Sequence, residues 1–243
     1  KTPDAKLNGK GVMEFLLINH PLDCPTCDEA GECRLQNYTA GYSVPETRFA
    51  ENKNTKTLTD LSDKVQFWGN RCIVCTRCVR FTQEVTGTSE LGVFERGDHN
   101  EIGVYPGKVL DNPLSMNIVD ICPVGALLAK DYMHKTRYWF LSHTPSTCAT
   151  CAKGCAIEVD TYRGEIMRLL PRENQAVNGS WICDEGRLNY PYTHRKDRFK
   201  KPMLRQGKEL FEVSWEEALA AIRQGIGRAA QQYGPQSIGG WGS

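Results

Sequence analysis

The sequence predicts an α+β chain: three small modules, each organised by a knot of metal-ligating side chains, followed by the opening of a larger α/β domain. Three observations predict this. Most of the eleven cysteines gather in three tight groups instead of scattering as a disulfide framework would, and their number is odd. One histidine, His20, stands at ligand spacing from the first group. Near the C-terminus, Ser214-Trp-Glu-Glu217 is a capping box that opens an amphipathic pattern. The 243 residues are 40% hydrophobic and 24% charged, a globular rather than a disordered composition. A net charge of +1 gives no prompt towards nucleic acid or an anionic membrane surface. No apolar run approaches the ~18 residues a membrane-spanning helix needs. Metal or cluster ligation in a reducing compartment suits these cysteines better than disulfides.

In chain order, 11–19 reads as a short helix. Val12, Phe15, Leu16 and Asn19 fall on one face, and Pro21 stops it. It delivers His20-Pro-Leu-Asp-Cys24-Pro-Thr-Cys27-Asp-Glu-Ala-Gly-Glu-Cys33, a spacing of H-x3-C-x2-C-x5-C. Three thiolates and an imidazole suit a [4Fe–4S] cubane, and a Cys3His zinc site is the alternative. With one thiolate fewer, such a cluster carries less negative charge, and its potential is expected to be raised. Tyr38 to Lys64 is polar and reads as a surface loop without chemistry.

The second group is Arg71-Cys72-Ile-Val-Cys75-Thr-Arg-Cys78-Val-Arg80, with Cys122-Pro123 further on. C-x2-C-x2-C is three-quarters of the bacterial ferredoxin run, and the Cys-Pro pair closes it. Three cysteines this close suit one cubane better than zinc, which takes its cysteines in pairs. A helix continues through Thr82 and Val85 to Gly87. Arg71, Arg77 and Arg80 either offset the negative charge of the ligands or form a solvated basic face. Leu91 to Tyr105 is consistent with small strands or turns, 115–120 leads into the Cys122 turn, and 126–133 is expected to be helical.

The third group is Cys148, Cys151 and Cys155, then Cys183. Between them 156–161 and 166–170 read as two strands around a turn at Gly164, a hairpin that can bring Cys183 back. C-x2-C-x3-C-x27-C weighs for iron–sulfur, with a zinc ribbon as rival. Eleven cysteines and His20 then supply three groups of four with none left over. His99, His134, His143 and His194 lack ligand spacing and read as surface or hydrogen-bonding residues. The helix after Ser214 carries Ala218, Leu219, Ile222 and Ile226 on one side and ends before Gly234-Pro235. Ile238 to Ser243 looks like an apolar strand reaching a glycine-rich turn, and the chain is expected to be a piece of something longer at both ends. The domain division expected is 1–45, 46–135, 136–195 and 196–243.

These motifs resemble the family of large iron–sulfur subunits in the peripheral arm of NADH:quinone oxidoreductase, respiratory complex I, over nearly the whole chain. The runs that carry the resemblance are Val12 to Pro25, Arg71 to Phe81 and Val119 to Leu127, with Cys148, Cys151, Cys155 and Cys183 matching a third cluster of some bacterial members. The resemblance implies a His/Cys-ligated iron–sulfur domain, a ferredoxin-like one, a small β-rich one, and the start of a molybdopterin-oxidoreductase-like α/β domain. It implies three [4Fe–4S] clusters here, with a [2Fe–2S] domain upstream of Lys1. Electrons from an NADH/FMN-binding subunit would reach the Cys72, Cys75, Cys78, Cys122 cluster. They would then pass to the His20, Cys24, Cys27, Cys33 cluster and on towards quinone, coupled in the assembly to proton translocation. The third cluster would lie off this path. The partners implied are the FMN/NADH-binding, [2Fe–2S], ferredoxin-like and quinone-site subunits. The place implied is the cytoplasmic side of a bacterial inner membrane, peripheral and without a span of its own.

No Ser/His/Asp triad, P-loop or dinucleotide fingerprint gives the chain a catalytic residue or substrate site of its own. Two other redox classes share the His-ligated group. NAD-dependent formate dehydrogenases carry all three groups and bind a molybdenum or tungsten pterin. They typically show Cys-x-Lys-Gly after the last cysteine, where this chain reads Cys183-Asp184-Glu185-Gly186. An iron hydrogenase would lack the third group and the capping-box domain. A non-redox zinc module is opposed by the Cys72–Cys78 spacing.

Overall fold

A computed structural model describes residues 2–43 and 46–240. Backbone contacts divide it into two compact units, parted after Tyr190.

The first unit opens with α1 (Pro3–Leu17), eight residues earlier than the apolar pattern implies. Thr2-Pro3 is a strong start signal: the Thr2 hydroxyl accepts from Ala5 N at 3.3 Å, and Pro3 has no amide to leave unpaired. The inward face also differs from the expected one. Met13 is buried, with Leu16 and Leu17 packed beside it, while Val12 and Phe15 are exposed. The polar stretch after the first cysteines is not simply a loop. Its first residues belong to α2 (Arg34–Tyr42), and Lys53 Nζ donates to the orphan carbonyls of Leu17 and Ile18 at 2.9 and 2.7 Å. It therefore straps the end of α1, next to His20.

The middle of this unit holds β1 (Leu58–Asp60), β2 (Val65–Trp68), α3 (Arg77–Arg80) running into a π-helical turn, and the hairpin β3 (Leu91–Phe94)–β4 (Glu101–Val104). Then come α4 (Asn117–Ile121) and β5 (Leu127–Ala129). The helix expected at 126–133 is a correction. Leu127, Leu128 and Ala129 pair antiparallel with Phe67, Gln66 and Val65, so β5 completes a sheet of order β1-β2-β5. Pairing with β2 satisfies the backbone of 127–129, with Leu127 in the main core and Leu128 buried as well. The core beneath is Val65, Phe67, Leu91, Leu110, Met116 and Ile118, and the candidate ligands Cys33 and Cys78 are part of it.

The last module of the unit is an antiparallel sheet, β6 (Ser142–Thr147), β7 (Ala156–Tyr162) and β8 (Glu165–Pro171), followed by α5 (Asp184–Leu188). The β7–β8 turn puts Arg163 at φ 52° and Gly164 at φ 82°, the left-handed pair a two-residue hairpin needs. Ile157, Leu169, Ile182 and Tyr190 form a second core with Cys148 and Cys155. Asn117, fully buried, joins α4 to the approach of Cys183. Its amide donates to Ile182 O at 2.8 Å, and its carbonyl accepts from Ile182 N at 3.1 Å.

The second unit contains the hairpin β9 (Met203–Gln206)–β10 (Glu209–Glu212) and α6 (Trp215–Tyr233). The capping box is formed in both directions, and Gly234 at φ 84° ends the helix as expected. Ala218 is buried, whereas Leu219, Ile222 and Ile226 are exposed. The strand expected from Ile238 does not form: Pro235–Ser237 is a 3-10 turn that Ile238 caps, and 241–243 lie outside the described residues. No helix among the described residues is long and apolar enough to cross a membrane.

Asn117→Leu should destabilise the first unit. It leaves both backbone groups of Ile182 unpaired and buried, at about 1–3 kcal/mol each. The check is a lowered urea midpoint with an unchanged m-value.

Candidate metal centres

The first group forms where α1 ends and α2 begins. His20, Cys24 and Cys33 line one cavity of about 470 Å³ with Leu17, Ile18, Leu35 and Phe49. Burial holds the His20 imidazole below its ordinary value, so it is neutral at pH 7, and its Nδ1 is buried with no hydrogen-bond partner. A neutral, under-satisfied ring is what a metal ligand requires. Cys33 is the N-cap of α2, its sulfur accepting from Gln36 N at 3.5 Å, so the helix N-terminus faces the sulfur. Cys27 is buried and does not line this cavity. A Cβ at Gly125 would collide with its sulfur, so only glycine fits where the Cys122 loop crosses the first group.

The second group lines one apolar pocket: Cys72, Cys75, Cys78 and Cys122, with Phe67, Ile73, Ile102 and Val124 among its walls. The backbone between the ligands is strained to reach this arrangement. Val74 at φ 51° and Thr76 at φ 61° are β-branched residues in the left-handed region. Val74 N donates to Cys72 Sγ at 3.3 Å. Cys78 rides on α3, and Cys122 caps the end of α4. Burial pushes the thiols of Cys78 and Cys122 up to about 12, so both are protonated at neutral pH and metal binding must displace the protons.

In the third group the β6–β7 corner carries Cys148 and Cys155, joined by a Cys148 N to Cys155 O bond of 2.8 Å, with Cys151 exposed on the turn between them. Cys183 is the N-cap of α5, its sulfur accepting from Gly186 N at 3.3 Å. A Cβ at Gly186 would lie 3.1 Å from Cys148 Sγ and 3.3 Å from Cys183 Sγ. The hairpin therefore returns Cys183 to the others, as its sequence position requires.

The three groups are tied together by buried ion pairs that the sequence did not reveal. Arg71, 1% exposed, donates to Asp23 at 2.9 and 2.6 Å and to Gly125 O at 3.3 Å, with its guanidinium 3.9 Å above the Trp68 ring. Arg187 pairs with Asp120, and Arg168 pairs with Glu32 at 2.8 Å and Asp160 at 2.7 Å. Asp184 takes Lys64 at 3.1 Å, Ser115 Oγ at 2.6 Å and Met116 N at 2.9 Å. Of the other arginines among the ligands, Arg80 is a solvated partner of Glu84, and Arg77 donates to Ile121 O at 3.4 Å. His143 converges with Glu158 and Asp160, and their ligand atoms lie within 4.8 Å of one another. Arg168 already neutralises Asp160, so this trio is a node of the charge network.

Cysteine-rich loops with mostly buried sulfurs, backbone N–H donors aimed at some of them and a neutral imidazole fit iron–sulfur centres. Together with the fold they define a multi-centre iron–sulfur protein. Family models match in succession. They are the NADH-ubiquinone oxidoreductase-G iron–sulfur binding region at residues 10–48 and the NADH-quinone oxidoreductase subunit 3 ferredoxin-like domain at 62–128. An NDSU1/NuoG-like 4Fe–4S domain follows at 141–191, and molybdopterin oxidoreductase at 198–243. The chain is 43% identical over 225 residues to an NADH-quinone oxidoreductase subunit of Rickettsia conorii, covering 93% of this chain and 33% of that one. It is 45% identical over 224 residues to the mitochondrial NADH dehydrogenase [ubiquinone] iron–sulfur protein 1 of Solanum tuberosum, covering 92% and 30%. The chain belongs to this family of NADH-quinone oxidoreductase iron–sulfur subunits, and it spans about a third of the length of these relatives. An NAD+-reducing [NiFe]-hydrogenase structure shares the fold over 56% of this chain and 59% of its own, with a TM-score of 0.51 and 23% identity.

Gly125→Ala should displace Cys27 and lower the metal retained by the first group while sparing the third; metal analysis with electron paramagnetic resonance distinguishes them. Burial, with Glu32 repulsion second, pushes the Glu29 carboxyl from 4.5 up to about 8. The folded state therefore holds a proton that the unfolded state releases. Glu29's contribution to stability is full below about pH 4.5 and is lost as pH rises through about 8. Glu29→Gln should flatten that loss, read from urea midpoints at pH 5 and pH 8.5.

Proposed function

We propose that this chain is the electron-relay region of the large iron–sulfur subunit of an NADH:quinone oxidoreductase. The observation that carries the reading is that each of the three ligand groups falls inside a matched iron–sulfur model of this one family. In this reading His20, Cys24, Cys27 and Cys33 hold one [4Fe–4S] cluster. Cys72, Cys75, Cys78 and Cys122 hold a second, and Cys148, Cys151, Cys155 and Cys183 a third. A [2Fe–2S] domain precedes them. Such clusters, when bound, take up and return single electrons.

The chain's own residues do the rest. The apolar walls around Cys72 to Cys122 exclude water, and Arg71 supplies buried positive charge between the first two groups. His20 replaces a thiolate and so removes one negative charge from its group. The Cys72 and His20 groups lie on the electron path and the Cys148 group off it. The partners are the FMN/NADH-binding, [2Fe–2S], ferredoxin-like and quinone-site subunits, with the chain peripheral on the cytoplasmic face and its electron flow coupled in the assembly to proton translocation.

The rival reading is the relay portion of a pterin-dependent formate dehydrogenase, favoured by the molybdopterin oxidoreductase match at 198–243. Against it, Glu185 is acidic and exposed where that class typically places a lysine.

About twelve cubane irons with matching sulfide assigned to this stretch, without molybdenum or tungsten, are expected from the anaerobically purified assembly. Stoichiometric molybdenum or tungsten would favour the rival, and zinc in place of iron would sink both. Cys75→Ala should abolish NADH:quinone electron flow in assembled protein, whereas Cys151→Ala should mainly lower stability. Equal loss in the two variants would contradict the off-path assignment.

A further inference from the structure

We propose that Arg71 is the positioning residue that locks the first and second ligand groups at a fixed junction and supplies the positive charge there. The inference rests on the reading that both groups hold clusters.

Three observations converge on this side chain. Arg71 adjoins Cys72 in sequence, yet its guanidinium reaches Asp23, which adjoins Cys24, through two hydrogen bonds to a single carboxylate oxygen. The same guanidinium donates to Gly125 O, on the loop that follows Cys122. That glycine is where the two groups touch: a Cβ added there would collide with Cys27 Sγ and would lie 3.8 Å from Arg71 Cδ. One cation thus holds a residue beside a first-group ligand and a carbonyl beside a second-group ligand, and the touching point lies between them. Stacking on Trp68 fixes the plane of the guanidinium, and burial removes the solvent that would screen its charge. The two nearby arginines that share the ligand run do not bridge the groups: Arg77 is exposed and reaches only Ile121 O, within the second group, and Arg80 is exposed and pairs with Glu84.

The test is a redox titration followed by electron paramagnetic resonance on the anaerobic holoprotein, together with the magnetic dipolar coupling between the first two centres. Arg71→Met should lower the potentials of both centres at full iron content and change their coupling. Arg71→Lys keeps the charge but cannot hold Asp23 and Gly125 O in one plane. It should restore the potentials towards wild type and leave the coupling altered. Fully loaded Arg71→Met protein with wild-type potentials and coupling would reduce Arg71 to a stability role and overturn the proposal.

If Arg71→Met fails to load, Asp23→Asn decides. It keeps the cation but weakens its hold, so the first centre should shift to higher potential with altered coupling, and an unchanged spectrum would overturn the proposal. Absence of iron–sulfur signals from the wild-type protein would instead sink the functional reading beneath it.

Discussion

Four of the carboxylates that stand one or two positions from a candidate ligand cysteine are each held by a cation from a different module. Asp23 beside Cys24 takes Arg71, and Glu32 beside Cys33 takes Arg168 from β8. Asp120 near Cys122 takes Arg187 from α5, and Asp184 beside Cys183 takes Lys64 from the turn before β2. Buried charge needs a partner, and removing one member of such a pair typically costs about 3–5 kcal/mol. Pairing across modules turns that cost into a constraint on arrangement. The first unit therefore holds its ligand loops in one register, although each module is too small to bury much surface alone.

The ligand loops meet a second demand, which is to present sulfur inward along an irregular backbone. Short helices answer it by starting on a cysteine, so that at Cys33 and Cys183 the sulfur takes the place of a capping hydroxyl. Between Cys72 and Cys78 the chain accepts left-handed Val74 and Thr76, an expensive choice for β-branched residues. Glycine appears where two loops leave no room for a Cβ, at Gly125 and Gly186. These features place N–H groups and space around the sulfurs, which is how a protein tunes a centre whose chemistry belongs to the cofactor.

The second unit follows different rules. Its long helix is specified by local signals, a two-way capping box at Ser214 and a glycine stop at Gly234, and needs little help from neighbours to begin and end.

Much of this was legible in the residues. Cysteine spacing marked out the loops that the structure gathers, the β7–β8 turn announced its hairpin, and Ser214 announced α6, because each signal acts over a few residues. Tertiary structure decided the rest. It made 127–129 a strand, since β2 offered a partner; it turned Met13 rather than Val12 inward; and it separated buried Arg71 from solvated Arg80. The sequence presents those two arginines alike, as basic residues flanking cysteines. What distinguishes them is a carboxylate 48 positions away, and a charge pair at that separation comes into being only when the fold brings its two loops together.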